Sequence, residues 1–262
     1  MQYTQTLRML NGLKVLAIVF ACLYAFVVVV SAASGVLGHV PNGKDTSFEI
    51  PLPALFAFAA LVSSIFASIY GRTLSAENEE HLPIVWTRPA SRVRTALSIF
   101  CVDALGIVVA FALYMLVAAI FIETFRVANY VVVPKDAWVQ FIRYMAEPFA
   151  FYALVMALTA STGRAGRGLV GWCWVGVLAI GALAGLGLPN PWHTIFNIIN
   201  YLSPLAYGSY HTTTATVTVN VMGGPSPTFV AGLPPAMDAV ALLILFAAGF
   251  ALGLAQWRRL EA

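Results

Sequence analysis

Few residues in this chain are placed for chemistry. Gly38, Gly43 and Lys44 match the GxxxxGK spacing of a loop that cradles phosphate with backbone N–H groups. Such a loop needs Ser or Thr next, to hold magnesium, and must link a strand to a helix; here Asp45 follows, and the stretch trails a long apolar run. Nucleotide binding at this place is therefore not expected. His39, His81, His193 and His211 lie in connections or at segment ends, which leaves no histidine within the apolar runs to ligate haem. Cys22, Cys101 and Cys173 sit inside apolar runs without a CxxC step or a neighbouring histidine, so they read as small buried hydrophobes and not as metal ligands. HExxH and GxSxG are both absent. The chain reads as having no catalytic site, bound cofactor or metal of its own.

One ionisable group does fall deep in an apolar stretch. Asp103 lies about eight residues into the third run, about 12 Å along a helix rising 1.5 Å per residue. An ionised carboxylate facing lipid there would cost about 2.5 to 3.5 kcal/mol on insertion scales, so Asp103 must face protein or a wet cavity. Two readings stand: a cavity-lining, gating or proton-binding residue, or a hydrogen bond or Arg pair between helices. Glu147 and Asp238 fall near segment ends, where interfacial water makes a charge cheap, and read as structural.

The elements that position these residues follow from composition. Of the 262 residues, 60% are hydrophobic and only 10% charged, well under the roughly 25% charged share of soluble domains. A crossing takes about 20 apolar residues. Such runs occur at Val15 to Val36, Pro51 to Gly71, Ala96 to Ile122, Tyr144 to Thr162, Leu169 to Leu188 and Ala239 to Gln256. They do not alternate as barrel strands do. The expectation is one all-α polytopic domain over residues 1–262 with six transmembrane helices. A signal peptide competes for the first run, since Arg8 and Lys14 precede it and Ala32, Ala33 and Ser34 follow, but a run past about 15 residues is long for a signal core.

Lys and Arg collect on cytoplasmic flanks. Ten of the 14, from Arg8 and Lys14 through Arg72, Arg88, Arg92, Arg94, Arg164 and Arg167 to Arg258 and Arg259, fall on one face; Lys44, Arg126, Lys135 and Arg143 fall on the other. Both termini are thus expected in the cytoplasm. This asymmetry accounts for the net charge of +3, and nothing points to nucleic acid. Gly181 and Gly185 form a GxxxG step, with Gly176 and Gly187 adding small surface, and read as helix packing. Between Gly168 and Met237 no charged residue occurs. Within that stretch Thr214, Thr216, Thr218 and Asn220 alternate with apolar residues before Gly223, Gly224 and Pro225, a pattern that suits an external β-hairpin or else a threonine-rich loop.

The connection from Arg72 to Thr95 opens acidic, with Glu77, Glu79 and Glu80, and then reads Trp86-Thr87-Arg88-Pro89-Ala90-Ser91-Arg92 into the third crossing. That order resembles the cytoplasmic coupling segment of type-2 ABC permeases. A second run, Ile199-Asn200-Tyr201-Leu202-Ser203-Pro204-Leu205-Ala206-Tyr207, resembles the stretch before the last crossing in the same family. The resemblance, which spans essentially the whole chain, implies the membrane subunit of an ATP-driven exporter in a bacterial or archaeal cell membrane. It implies two separate ATPase subunits carrying ATP and magnesium, and a second permease, identical or related. It assigns coupling to Glu79, Glu80, Trp86, Arg88, Pro89, Ser91 and Arg92. It also assigns an outer gate, a re-entrant broken hairpin over Pro189 to Tyr207, to Tyr201, Ser203, Pro204 and Tyr207, and an amphipathic surface helix to Gln2–Gly12. Low intramembrane charge favours amphipathic or hydrophobic cargo. The competing readings are a membrane scaffold or sensor without an ATPase, and an intramembrane enzyme.

Overall fold

A computed structural model describes residues 2–33, 50–75, 92–162, 166–185, 189–207 and 235–259. Among them the helices are α1 (Gln2–Ala33), α2 (Leu52–Gly71), α3 (Arg92–Thr124), α4 (Ala137–Thr159), α5 (Gly166–Gly185), α6 (Trp192–Asn200) and α7 (Pro235–Arg259). Five stretches are long and apolar enough to cross a membrane, at Gln5–Ala32, Leu52–Ser75, Val93–Thr124, Ala137–Thr159 and Pro235–Arg259. The chain is therefore a multi-pass helical membrane protein. The fifth expected crossing, Leu169 to Leu188, is described as far as Gly185. Its apolar part, Gly168–Ala184, rises about 25 Å at 1.5 Å per residue, against a hydrocarbon core of about 30 Å.

The centre is α4. Of its most apolar window 61% is buried inside the protein, against 6% for α1. Its broadest packing is against α7 and then α2. Small residues allow both approaches. On α2, Ala59, Ala60, Ser63, Ser64, Ala67, Ser68 and Gly71 are buried and recur at the spacing that keeps one helix face inward. A Cβ on Gly71 would stand 2.8 Å from the Tyr152 carbonyl oxygen. On α7, a Cβ on Gly249 would come within 3.0 Å of the Ala153 backbone, and one on Gly253 within 2.7 Å of Met156. The GxxxG step that brings helices together inside this chain is thus Gly249/Gly253. Of the expected Gly181/Gly185 step, whose packing could equally serve a second copy of the chain, Gly181 has only Asn200 at 3.9 Å from its missing Cβ, and the added Gly176 has nothing within 4 Å.

This contrast gives a test. Gly249→Ala forces a backbone to move, and the overpacking should cost about 1–3 kcal/mol. Gly176→Ala adds a methyl group in open space and removes glycine's helix penalty of about 0.8–1.0 kcal/mol. Thermal denaturation in detergent should rank Gly249→Ala below wild type and Gly176→Ala at or above it.

Three expectations change. The N-terminal stretch is not a separate surface helix: α1 runs unbroken from Gln2 to Ala33, because Tyr70 and Met9 close over the glycines Gly12 and Gly106 and dock its first turns on α2 and α3. The fourth helix starts at Ala137 and not near Tyr144, which places Arg143 inside a helix and away from the outer flank. Cys22 and Cys101 are exposed on the protein's outer surface and Cys173 is half-buried, so none is a core residue.

Candidate functional site

Two buried polar clusters hold the helices, and each is assembled from residues far apart in the chain. The first forms around Asp103 on α3, which is fully buried. Gln5 of α1 donates its Nε2 to Asp103 Oδ1 at 2.6 Å, and the Tyr152 hydroxyl of α4 donates to Oδ2 at 2.9 Å. The same Gln5 Nε2 reaches Thr73 Oγ1, just past α2, at 3.2 Å, and Thr73 donates to the Tyr70 carbonyl at 2.6 Å. The carboxylate therefore ties α1, α2, α3 and α4 together. Of the two readings of Asp103, the interhelical hydrogen bond is the one these contacts show. α1 needs it, because among its described side chains only Gln5, Met9 and Phe20 are buried.

The second cluster lies at the other end of α4 and centres on Arg143, which is 1% exposed. Its Nε stands 3.3 Å from Asp238 Oδ2 at the start of α7. One terminal nitrogen donates to Gln140 Oε1 at 3.2 Å, and the other donates to the main-chain carbonyl of Tyr207. Gln140 in turn donates to Asp136 Oδ2 at 3.0 Å. The planar guanidinium, with its fixed fork of donors, suits three acceptors on three elements in a way an ammonium would not. Glu147, one helical turn beyond Arg143, is also buried and feels its charge.

Glu147 and Asp238 are thus not interfacial charges eased by water. Burial and Arg143 set their surroundings. The sequence carries a signal for this: a cation and an anion four residues apart, separated by Tyr144, Met145 and Ala146 and followed by Pro148, fit one face of a membrane helix better than a solvated flank.

The residues expected at an outer gate do come together. The helix α6 packs on α5, and a 3-10 turn over Pro204–Tyr207 packs on α4, α5 and α7. Ser203, Pro204 and Tyr207 are buried there, whereas Tyr201 is exposed. The Tyr207 hydroxyl donates to the Tyr201 carbonyl at 2.8 Å and closes the hairpin on itself. Burial first, then the charge of Asp238 and the Tyr201 phenol, push the Tyr207 hydroxyl above its usual range. Trp192, Ile198 and Leu202 face outward, so the hairpin presents an apolar surface.

Other expected sites fall elsewhere. Glu79, Glu80, Trp86, Arg88, Pro89 and Ser91 lie outside the described residues, as do Gly38 to Lys44 and the threonine-rich stretch 214–225. Arg92 is the first residue of α3. Among the described residues no group of three or more His, Cys, Asp or Glu side chains is placed to hold a metal ion. Compared with family models, curated proteins and solved structures, the chain matches none.

Proposed function

We propose that this chain is the membrane subunit of an ATP-driven exporter of the type-2 ABC permease kind, forming a translocation pathway with a second permease and driven by two separate ATPase subunits. The observation that carries the reading is the hairpin after α5. There a short helix, a buried 3-10 turn and an internal tyrosine bond follow one another, which supports a broken hairpin before the last crossing.

In this reading α5 also crosses the membrane, as the fifth of six crossings. Both termini lie in the cytoplasm with most of the Lys and Arg. The segment from Glu79 to Arg92 receives the push of the ATPases and passes it to α3, which begins at Arg92. Asp103, about 16 Å further along that helix at 1.5 Å per residue, then transmits it to α1 and α4 through Gln5 and Tyr152. At the far end of α4, Arg143 meets the hairpin. Apolar and amphipathic compounds suit a pathway whose helices carry so little charge. The membrane is the bacterial or archaeal cell membrane.

The test uses the coupling residues. Glu80→Ala and Arg92→Ala should each lower ATP hydrolysis by the assembled complex several-fold while the helical content stays unchanged by circular dichroism. If both variants couple as well as wild type, the lever is misassigned.

A further inference from the structure

Arg143 stands between two buried carboxylates. Asp238 on α7 is its ion-pair partner at 3.3 Å. Glu147 sits one turn along α4, is 3% exposed, and makes no hydrogen bond or short ion pair among the described residues. Residues four apart on a helix lie about 5–6 Å apart at Cβ, within the swing of an arginine side chain. A buried carboxylate without a partner is costly, and one guanidinium cannot fully serve two. Either pairing therefore leaves one acid short, and the two acids compete for one guanidinium. Two alternative pairings of one cation are what a two-state element requires.

The backbone beside this cluster is built to bend. Pro148 lies inside α4, directly after Glu147. It supplies no N–H for the carbonyl of Tyr144, and its ring crowds that carbonyl, so the helix is weakest in the turn separating Arg143 from Glu147. A bend there changes which carboxylate the guanidinium reaches.

The contacts of Arg143 also mark what the exchange would release. Tyr207 and Asp238 bracket the connection 208–234, and Arg143 holds the near end by the Tyr207 carbonyl and the far end by the Asp238 side chain. We propose that Arg143 is a clasp that trades Asp238 for Glu147. In one setting it keeps the hairpin turn Pro204–Tyr207 seated against α7, and in the other it withdraws along α4 and lets the turn and the start of α7 part. This goes beyond the transport reading, because the exchange is a property of this chain alone and needs no ATPase.

The test reads opening at Ser203, which is 4% exposed in the clasped setting. Ser203→Cys is placed in a chain carrying Cys22→Ala, Cys101→Ala and Cys173→Ala, reconstituted in nanodiscs, and labelled with a water-soluble maleimide. Labelling follows the open fraction. Asp238→Asn should raise the rate by at least about tenfold, since the guanidinium then has Glu147 as the carboxylate nearest along its own helix. Glu147→Gln, which removes the competitor and leaves the clasp untouched, should lower the rate below that of the parent. Both changes together support the exchange. A Glu147→Gln rate equal to or above the parent's, or an Asp238→Asn rate no higher than the parent's, overturns it, and these outcomes leave the ATPase-coupled reading standing or falling on its own experiment.

Discussion

Arg143→Met is expected to be the most damaging single substitution in the protein, lowering its stability by about 3–5 kcal/mol, the usual cost of removing one member of a buried ion pair. The loss is not one contact. Met fills much of the volume but leaves Asp238, Gln140 and the Tyr207 carbonyl without their shared donor, and Glu147 loses the one cation that acts on it. Arg143→Lys restores a charge without the fork and should recover part of the loss. Asp238→Asn should cost less than Arg143→Met, because the guanidinium retains a carboxylate within reach. Thermal denaturation of the three variants in one detergent checks the order. An Arg143→Met protein that melts with the wild type would show that the cluster contributes nothing to holding the fold.

Asp103→Ala ranks second. It strands the Tyr152 hydroxyl and leaves Gln5 Nε2 with Thr73 alone, and an orphaned buried donor costs about 1–3 kcal/mol. The effect should be uneven across the molecule. Tyr152 sits in the well-packed centre of α4, whereas α1 is little buried and its described anchors include Met9 over Gly106, Tyr70 on the Arg8 carbonyl, Phe20 against Tyr114, and Tyr24 bonded to Thr124. Limited proteolysis should therefore cut near the N-terminus before the rest of the chain unfolds. Asp103→Asn still accepts one of the two bonds and should fall between Ala and wild type. Equal protease resistance in Asp103→Ala and wild type would remove Asp103 from the attachment of α1.

Five of the six expected spans were readable from the chain because an apolar window of about 20 residues is a property of consecutive residues, and the bilayer imposes it whatever the helices pack against. The burial of Asp103 was readable for the same reason: depth alone forbids lipid exposure of a charge. Its partners were not, since Gln5 and Tyr152 are 98 and 49 residues away and nothing local links them. Arg143 shows the opposite failure. Near Lys135 and Asp136 it reads as a flank charge, and only the early start of α4 at Ala137 carries it inside.

Glycine patterns show the same limit. Gly181/Gly185 and Gly249/Gly253 are equivalent as strings, but closeness depends on what faces them, and it is Ala153 and Met156 of α4 that face the second pair. The stretch Pro189 to Tyr207 was legible as apolar and aromatic. Its anchoring to Arg143 was not, because the bond goes to a main-chain carbonyl that no side-chain pattern announces.

The claim on which the functional account rests is that an energy-supplying companion works through this chain. The direct measurement is purification of the tagged protein from its own cells in mild detergent, followed by assay of ATP hydrolysis in the eluate. The account predicts that a soluble subunit with a complete phosphate-binding loop and magnesium-dependent ATPase activity elutes with it, and that Glu80→Ala weakens that association or that activity. A protein that moves its cargo in liposomes with no such companion, or that elutes without ATPase activity under conditions that preserve its helices, would contradict it.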